Sequence, residues 1–256
     1  MFRTPEAHRV VDLCTDSELG YLQSRTRFAP GAKLRLDEAY RLAHLPLIVP
    51  DHPDVIRSRP DGAYRMGRHD RIFSLVLPVP PDALERSAAY RELEADLRRA
   101  PFAHKIAWDL LAKRRARLHA TICGSLSKQI PYRVSDEERA AFRRMGPLHV
   151  ELRGLFSGNI NIGRLYLRVY PECRDGENLL RQAQRIIGRP ETNLYLVGLF
   201  NFVDHLGGAE AEVLQDLIQR WWDRSILTLD VSALWLLSAS DDLVLDAMVE
   251  EVIPLA

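Results

Sequence analysis

The order of strands and helices from about residue 70 onwards constrains the fold of this chain most. Short apolar stretches bounded by turn residues predict strands at 71–80, 117–126, 148–156, 162–171 and 193–202, followed by the closing strands at 226–240 and 243–255. Longer amphipathic stretches predict helices at 81–100, 135–146, 176–188 and 207–225. In several places two strands follow each other without a helix between them, as at the hairpin loop SGNIN. This mixture is typical of an α+β fold, not of a strictly alternating parallel sheet.

Capping residues indicate where two of these helices begin. Asp82 is a candidate N-cap with Glu85 in the capping-box position, and Ser135 is a candidate N-cap with Glu138 in the same position. The hydroxyl or carboxylate of such a residue accepts a hydrogen bond from a backbone N–H group that the first helical turn leaves unpaired. We therefore expect one helix to begin at Asp82 and another at Ser135.

The first 69 residues have a different character from the rest of the 256-residue chain. They are rich in Arg, Pro, Asp and His, and their hydrophobic periodicity is weak apart from a short helix predicted at 35–45. The chain length fits one large domain, or one domain with an extension. We interpret residues 1–69 as an N-terminal extension, partly loop, that wraps a main domain at 70–256.

Charge and composition narrow the possible partners. The chain has 35 basic and 35 acidic residues, whereas proteins that bind long duplex nucleic acid usually carry a basic excess. We therefore expect no duplex DNA partner. No apolar stretch approaches the roughly 20 residues of a membrane span, and the N-terminus does not resemble a signal peptide. These features predict a soluble, cytoplasmic protein with no membrane partner, and they do not indicate an oligomeric state.

The strand at 117–126, RLHATICGSL, contains the most suggestive pattern. Because side chains alternate along a strand, Leu118 and Ala120 lie on one face, and His119, Thr121 and Cys123 lie on the other. An imidazole can transfer a proton near neutral pH, and a hydroxyl can donate to a phosphoryl oxygen. The pair suits phosphoester chemistry. The alternative is a core strand that happens to contain a histidine.

From residue 70 on, the chain resembles the two-histidine (2H) phosphoesterase superfamily, which includes bacterial RNA cyclic phosphodiesterases and 2′-5′ RNA ligase-like proteins. The resemblance lies in the order of elements: RIFSLVLPVPPD, a long helix, RLHATICGSL, a helix, the hairpin of PLHVELRGLF and RLYLRVYP, and another helix. It implies two pseudo-symmetric lobes of mainly antiparallel sheet, with outer helices, around a central cleft. It also implies metal-independent hydrolysis of a phosphodiester, in which His119 transfers a proton and Thr121 holds the phosphoryl group.

In this family a second His-x-Thr motif lies on the neighbouring central strand, and this chain has none. Asn193 and Tyr195 occupy the expected place, in ETNLYLVGLFNF. The amide of Asn193 can hydrogen-bond, and a tyrosine with an ordinary pKa near 10 is a poor base at neutral pH. We expect both residues, together with Arg117, to bind substrate. The resemblance then implies a phosphodiesterase-like protein for a nucleotide, cyclic phosphate or short RNA end. The alternatives are a 2H-fold binding or interaction module that has lost catalysis, and a coincidental match of element order.

Other histidines are candidates for the missing proton-transfer group. His149 lies on a predicted strand with Glu151, and His205 follows the strand of Asn193. His104 precedes the strand of His119. The alternative for His149 is an exposed strand face, and the alternative for His205 is a loop at a helix start.

The sequence indicates no metal site and no cofactor. The three cysteines share no close spacing, no histidines occur at i, i+4, and no glycine-rich phosphate loop follows a strand. The densest basic region runs from Arg98 to Arg117. It either gathers phosphates beside His119 or forms a solvated helix face balanced by acidic residues.

Overall fold

The computed structural model describes residues 11–256. Eight strands form the main sheet: β1 (Arg68–Pro78), β2 (His119–Lys128), β3 (Leu148–Ser157), β4 (Arg164–Pro171), β7 (Leu196–Asn201), β8 (Ser225–Val231), β9 (Ala233–Asp241) and β10 (Ala247–Pro254). Strands β5 (Cys173–Arg174) and β6 (Glu177–Asn178) form a separate two-residue ladder. The order in the main sheet is β10-β9-β1-β2-β7-β4-β3-β8, and every neighbouring pair is antiparallel.

The sheet consists of two four-stranded halves that meet at β2 and β7. Each half contains a hairpin, β9–β10 in one and β3–β4 in the other. Helical segments connect β1 to β2 in the first half and β4 to β7 in the second. Extensive ladders join the strands within a half, whereas β2 and β7 share a single register pair, Ala120 with Val197. The seam is therefore the part of the sheet with the fewest interstrand hydrogen bonds.

The connection from β8 to β9 shows that the sheet curls. These strands belong to opposite halves, yet only Ser232 separates Val231 from Ala233. Two residue steps span at most about 7 Å, so the ends of the two strands must lie next to each other. The expected α+β fold with a mainly antiparallel sheet is confirmed. The segment expected to contain one strand at 226–240 contains two, because the chain turns between the halves at Ser232.

Helices cover the outside of the sheet. They are α1 (Tyr21–Ser24), α2 (Glu38–Ala43), α3 (Leu45–Ile48), α4 (Pro81–Arg86), α5 (Ala88–Arg99), α6 (Trp108–Arg114), α7 (Asp136–Met145), α8 (Leu179–Ile186) and α9 (Gly208–Trp221), with 3-10 turns at Ala103–Lys105 and Arg115–Arg117. None of the helices within residues 11–256 is long and apolar enough to cross a membrane.

The cap at Ser135 is confirmed, and the cap at Asp82 is wrong. Ser135 accepts from the backbone N–H of Glu138, whose carboxylate accepts from the backbone N–H of Ser135. In the earlier helix Asp82 lies within the first turn, and the predicted helix at 81–100 is divided at Ser87, which caps α5 by accepting from the N–H of Tyr90. Pro81 already fixes the backbone for a helix start, so Asp82 is not needed as a cap.

The segment from residue 11 to residue 67 packs into the same core as the sheet. The hydroxyl of Tyr21 donates to the carbonyl of Val169 at 2.5 Å, and the hydroxyl of Tyr40 donates to the carbonyl of Phe202 at 2.6 Å. Both tyrosines are fully buried. Isolated bridges such as Leu34 with Leu206 extend this packing along the second half of the sheet. This part of the extension therefore covers the sheet closely; its first ten residues lie outside the described part.

Candidate functional site

The seam between β2 and β7 holds a cleft into which His119 and Thr121 face. Leu194, Leu196 and Gly198 line the opposite side. Ala120 and Val197 are paired in the register, and both face away from the cleft. Because side chains alternate along a strand, their neighbours His119, Thr121, Leu196 and Gly198 lie on the face of the cleft. The structure thus brings the His119–Thr121 pair to a cavity, in keeping with the alternation in the sequence.

The register also identifies the counterpart of the His-x-Thr pattern on β7. In an antiparallel pair a local two-fold axis relates the strands. Through Ala120 and Val197, this axis maps His119 onto Leu196 and Thr121 onto Gly198. The counterpart is therefore Leu-Val-Gly, which supplies neither an imidazole nor a hydroxyl.

The cleft has a volume of about 260 Å³, and polar groups dominate its remaining wall. Those side chains come from helix α6, from β4 and from the loops before β4 and after β9. They are Arg114, Asn161, Arg164, Tyr166 and Asp242. Among the described residues that line the cleft, His119 is the one histidine, and Arg114 and Arg164 are the cationic side chains.

Arg114 is a buried cation without an acidic partner among residues 11–256. Its side chain is 1% exposed, and its Nη2 donates to the carbonyl of Gly198 at 2.7 Å. Its Nε and Nη1 atoms are buried and have no hydrogen-bond partner. Burial lowers the pKa of Arg114, and the charge of nearby Arg164 lowers it further. Since buried donors without partners destabilise a fold, this guanidinium is well prepared for an anion that enters the cleft.

Arg164 occupies the space that a side chain at position 198 would need. A Cβ atom at Gly198 would overlap Nε, Cζ and Nη2 of Arg164. The Nη1 atom of Arg164 donates to Nε2 of His44 and to the carbonyl of Asp242, both at 3.2 Å. Its Nε is buried without a partner. A second guanidinium is thus held against β7 at the point where Thr121 has its counterpart.

His44 lies at the junction of α2 and α3, and its neutral ring accepts a hydrogen bond from Arg164. Burial lowers its pKa to about 3, and the charge of Arg164 lowers it further. Nε2 accepts the hydrogen bond from Arg164, so the proton of the ring is on Nδ1. The side chain also stacks on Tyr40, with ring centroids 5.1 Å apart. The N-terminal segment therefore holds one of the two cations of the cleft.

His119 is oriented as a proton acceptor. Its Nδ1 lies 2.7 Å from the carbonyl oxygen of Arg117, which can only accept, so Nδ1 carries the proton and Nε2 presents a lone pair. Burial lowers the pKa of His119 to about 4, opposed by that hydrogen bond and reinforced by Arg114 and Arg164. The imidazole is neutral at physiological pH, and a bound anion would favour its protonation.

Asp242 does not neutralise the arginines with its carboxylate. Its Oδ2 accepts from the hydroxyl of Tyr64 at 3.0 Å, and its Oδ1 lies 3.3 Å from Nε2 of His69. Burial raises the pKa of Asp242, but the interactions with His69, His44 and Tyr64 outweigh it and leave the pKa below its ordinary value. The carboxylate is therefore ionised and already engaged by its own partners.

The structure places the three predicted substrate-binding residues away from the cleft lining. Tyr195 is fully buried on the opposite face, where its hydroxyl donates to the carbonyl of Thr192 at 2.6 Å. Asn193 is exposed and its carbonyl accepts from the N–H of Gly20 at 2.8 Å. Arg117 contributes its carbonyl oxygen to His119, and its side chain is not part of the lining. The pairing of Val197 with Ala120 turns Tyr195 and Val197 towards the core. Leu194 and Leu196 therefore face the cleft, where the sequence pattern predicted Asn193 and Tyr195.

The other candidate histidines lie elsewhere. On β3, Nδ1 of His149 is 2.8 Å from Oδ1 of Asp230, and Glu151 pairs with Arg153. His104 is exposed. None of these belongs to the cleft lining.

His205 ties the N-terminal segment to the chain after β7. Its Nδ1 accepts from the N–H of Leu36 at 2.9 Å, and its Nε2 donates to Asp54 at 2.7 Å. Both partners come from the N-terminal segment. His205 thus has a structural role there, outside the lining of the cleft.

The basic run before β2 is mostly balanced by acidic neighbours. Its ion pairs are Arg98 with Glu94, Arg99 with Asp96, Lys105 with Glu210, Lys113 with Asp109, and Arg115 with Asp82 and Glu85. Arg114, Arg117 and His104 have no such ion pair among the described residues, and of these three Arg114 is the buried one. Most of the run is therefore a solvated face, and one member reaches the cleft from the buried side of α6.

Sequence reasoning did not identify Arg164, Leu196 or Gly198 as candidate site residues, and it included Arg114 only as one member of the basic run from Arg98 to Arg117. A glycine inside an apolar strand was the available signal for Gly198, since it indicates a close approach by another group. Nothing in the local pattern distinguished the two arginines from the other basic residues of the chain.

A larger groove of about 580 Å³ lies between the N-terminal segment and α9. Its buried hydroxyls, those of Thr26 and Ser157, already contact each other at 2.8 Å, and Nε1 of Trp222 donates to Asp16 at 3.1 Å. The smaller cleft is the better candidate for a binding site because its buried donors lack partners.

The fold also brings two cysteines together. Cys14 and Cys173 meet beside Glu18, with the three candidate ligand atoms within 4.8 Å of one another. Their wide separation in the sequence gave no sign of this cluster.

No protein-family model matches this chain, and no curated protein is significantly similar to it.

Proposed function

We propose that the cleft between β2 and β7 binds the phosphate group of a nucleotide, a cyclic phosphate or a short RNA end. The observation that carries this proposal is the buried guanidinium of Arg114, whose Nε and Nη1 have no partner in a cavity shared with His119. Guanidinium groups present planar pairs of donors that match phosphate oxygens.

The other groups of the cleft suit the same ligand. The Nε of Arg164 offers a further donor, the exposed Thr121 offers a hydroxyl, and His119 offers a lone pair or, when protonated, a donor. The cavity of about 260 Å³ holds a phosphate group with part of its sugar, and leaves the base outside. A ligand with a small anionic head and a larger exposed body is the best match.

We further propose that the chain is a member of the 2H phosphoesterase superfamily in which the second motif has been replaced. Two observations support this. His119–Thr121 lies on one central strand, and the register places Leu196–Gly198 at the two-fold-related position. Arg164 fills the space above Gly198, so a guanidinium stands where the family has a hydroxyl.

The strand pairing favours a protein that binds the ligand and does not use two-histidine catalysis. A general acid opposite His119 would have to come from position 196, which is a leucine. A slow hydrolytic activity is the second candidate, because the bond from Nδ1 to Arg117 leaves Nε2 free to act as a general base.

Calorimetry with a 2′,3′-cyclic nucleotide, a nucleoside monophosphate and inorganic phosphate tests the binding proposal. We expect saturable binding that weakens about tenfold or more in Arg114→Met, since a hydrogen bond to a charged group contributes about 1.5–3 kcal/mol. Lys113→Met is the matched control, because Lys113 is the neighbouring cation on α6 and is exposed. Absence of binding at millimolar ligand, or equal loss in both variants, overturns the proposal.

Turnover of the cyclic nucleotide by wild type and by His119→Ala distinguishes binding from hydrolysis. A binding protein shows no turnover that depends on His119. A rate that His119→Ala lowers by about 10²-fold or more identifies His119 as a general base and makes the chain an enzyme.

A further inference from the structure

We propose that Cys14, Cys173 and Glu18 form a binding site for a thiophilic divalent cation, with Zn²⁺ as the best match. The two Sγ atoms and a carboxylate oxygen of Glu18 all lie within 4.8 Å of one another. This site is separate from the cleft and does not depend on the function proposed for it.

Backbone hydrogen bonds hold the two cysteines in place. The N–H of Cys14 donates to the carbonyl of Pro171 at 2.9 Å, and the N–H of Cys173 donates to the carbonyl of Asp12 at 2.8 Å. Between these bonds Leu13 pairs with Glu172 in an antiparallel bridge. These main-chain contacts position the two side chains so that their thiols hydrogen-bond to each other, and a metal between the Sγ atoms would replace that contact.

Hydrogen bonds to Thr15 hold one carboxylate oxygen of Glu18 and leave the other without a hydrogen bond from the described residues. Its Oε2 accepts from the N–H and from the hydroxyl of Thr15, at 2.7 and 2.8 Å. These hydrogen bonds lower the pKa of Glu18, so the carboxylate is ionised. Its Oε1 accepts no hydrogen bond from any described residue and can serve as the third ligand. A metal ligand needs this combination of a fixed carboxylate and a free lone pair.

The ligand set and its exposure favour zinc over harder cations. Two thiolates select soft or borderline metals, whereas Mg²⁺ and Ca²⁺ prefer oxygen ligands alone. Cys14 is 2% exposed, Cys173 is partly buried and Glu18 is exposed, so the site opens to solvent on one side. A water molecule can complete a tetrahedral set there, as in zinc sites with three protein ligands.

The charges around the site balance with a divalent cation. Two thiolates and one carboxylate carry three negative charges, of which the metal offsets two. Arg181 lies next to the cluster, where its Nη2 donates to the carbonyl of Glu18 at 3.1 Å and its charge favours the Cys14 thiolate. Without a metal, burial raises the pKa of Cys14 to about 12, and the thiol keeps its proton.

Metal binding would tie the N-terminal segment to the end of β4 and to β5. Cys14 and Glu18 precede α1, and Cys173 begins β5. The cation would add a cross-link beside the bridge of Leu13 with Glu172, to a segment that already packs into the core of the sheet. We expect bound metal to raise the thermal stability of the full chain.

Titration of the reduced, metal-free full chain with Cd²⁺ and with Zn²⁺ tests the site. We expect one equivalent of Cd²⁺ to bind with an ultraviolet thiolate-to-metal charge-transfer band, and Zn²⁺ in excess to compete for the same site. The band should disappear in Cys14→Ser and in Cys173→Ser and persist in Cys123→Ala, the matched control, since Cys123 is a buried free cysteine outside the cluster. Glu18→Gln should weaken binding about tenfold or more.

A second measurement on the wild-type chain guards against variants that fail to fold. Cd²⁺ should slow alkylation of Cys173 and Cys14, mapped by mass spectrometry, and leave the rate at Cys123 unchanged. The proposal is overturned if reduced wild type shows no charge-transfer band, or if the band survives in both serine variants. It is also overturned if the two cysteines form a disulfide in air and the reduced protein binds no metal.

Discussion

Arg164 lies directly on the backbone of Gly198, in the space that any other residue would fill with its side chain. Gly198 in turn gives its carbonyl to Arg114 at 2.7 Å. One glycine on β7 thus organises both cations of the cleft: the missing Cβ admits Arg164, and the main chain holds Arg114.

Gly198→Ala should weaken binding of a phosphate-bearing ligand about tenfold or more. The added methyl group displaces Arg164 from β7, and a displaced guanidinium loses its hydrogen bond to the ligand. Gly207→Ala is the control, because a Cβ there meets Glu210 at an ordinary 3.5 Å. Calorimetry on both variants measures the effect, and equal affinities would show that the position of Arg164 does not matter.

Arg114→Met should leave the free energy of unfolding unchanged or raise it. The wild-type residue places a charge in the interior with two unpartnered nitrogens, and a methionine keeps the apolar stem while it removes that cost. Urea unfolding gives the measurement. A large loss of stability would mean that Arg114 is held for the fold and not for a ligand.

Stability should fall as the pH drops through the window from 6.5 to about 4. The pKa of His119 is about 4 in the folded chain against an ordinary 6.5, so the unfolded state binds more protons in this window. His119 alone accounts for at most about 3 kcal/mol, and His44 adds to the loss in the same direction.

Unfolding free energies measured across that range in His119→Gln should depend less steeply on pH than in wild type. The exposed His104→Gln serves as the control and should keep the wild-type profile. Identical profiles for all three proteins would remove His119 as a source of the acid sensitivity.

Binding of a phosphodiester should be accompanied by proton uptake. An anion beside His119 stabilises the imidazolium and raises its pKa from about 4 towards neutrality. A 2′,3′-cyclic nucleotide is a suitable probe because its diester keeps a single charge throughout. Calorimetry in buffers of different ionisation enthalpy reports the protons taken up, and His119→Gln should abolish the uptake while it retains measurable binding.

Leu196→His should create or raise hydrolysis of the cyclic nucleotide. The two-fold relation between β2 and β7 places position 196 where the second proton-transfer group is missing, and such a group contributes about 10²–10⁴ in rate. Leu194→His puts the same residue two positions along the same wall and is the control. Equal rates in both variants would contradict the assigned register or the proposed family.

Local patterns in the sequence predicted much of the fold. Three features depend on residues that are close together in the chain. They are the hairpin of β3 and β4, the capping box at Ser135, and the strand face that His119 and Thr121 share in the cleft. Turn chemistry, helix caps and strand alternation act over a few residues, so one sequence reveals them.

Long-range pairing determined the rest, because no local pattern encodes it. The single pair of Ala120 with Val197 decided which face of β7 meets His119, and it turned Tyr195 into the core. The same packing selected Arg114 from a basic run whose other members mostly have acidic partners.

Local patterns along the chain were enough to predict the α+β class and the common face of His119 and Thr121. Packing of distant segments brought Leu196 and Gly198 opposite them, placed two arginines in their cleft and brought Cys14 beside Cys173. Side chains alternate along a strand with a period of two, so a shift of one residue in register reverses every side chain, and the packed sheet sets that register.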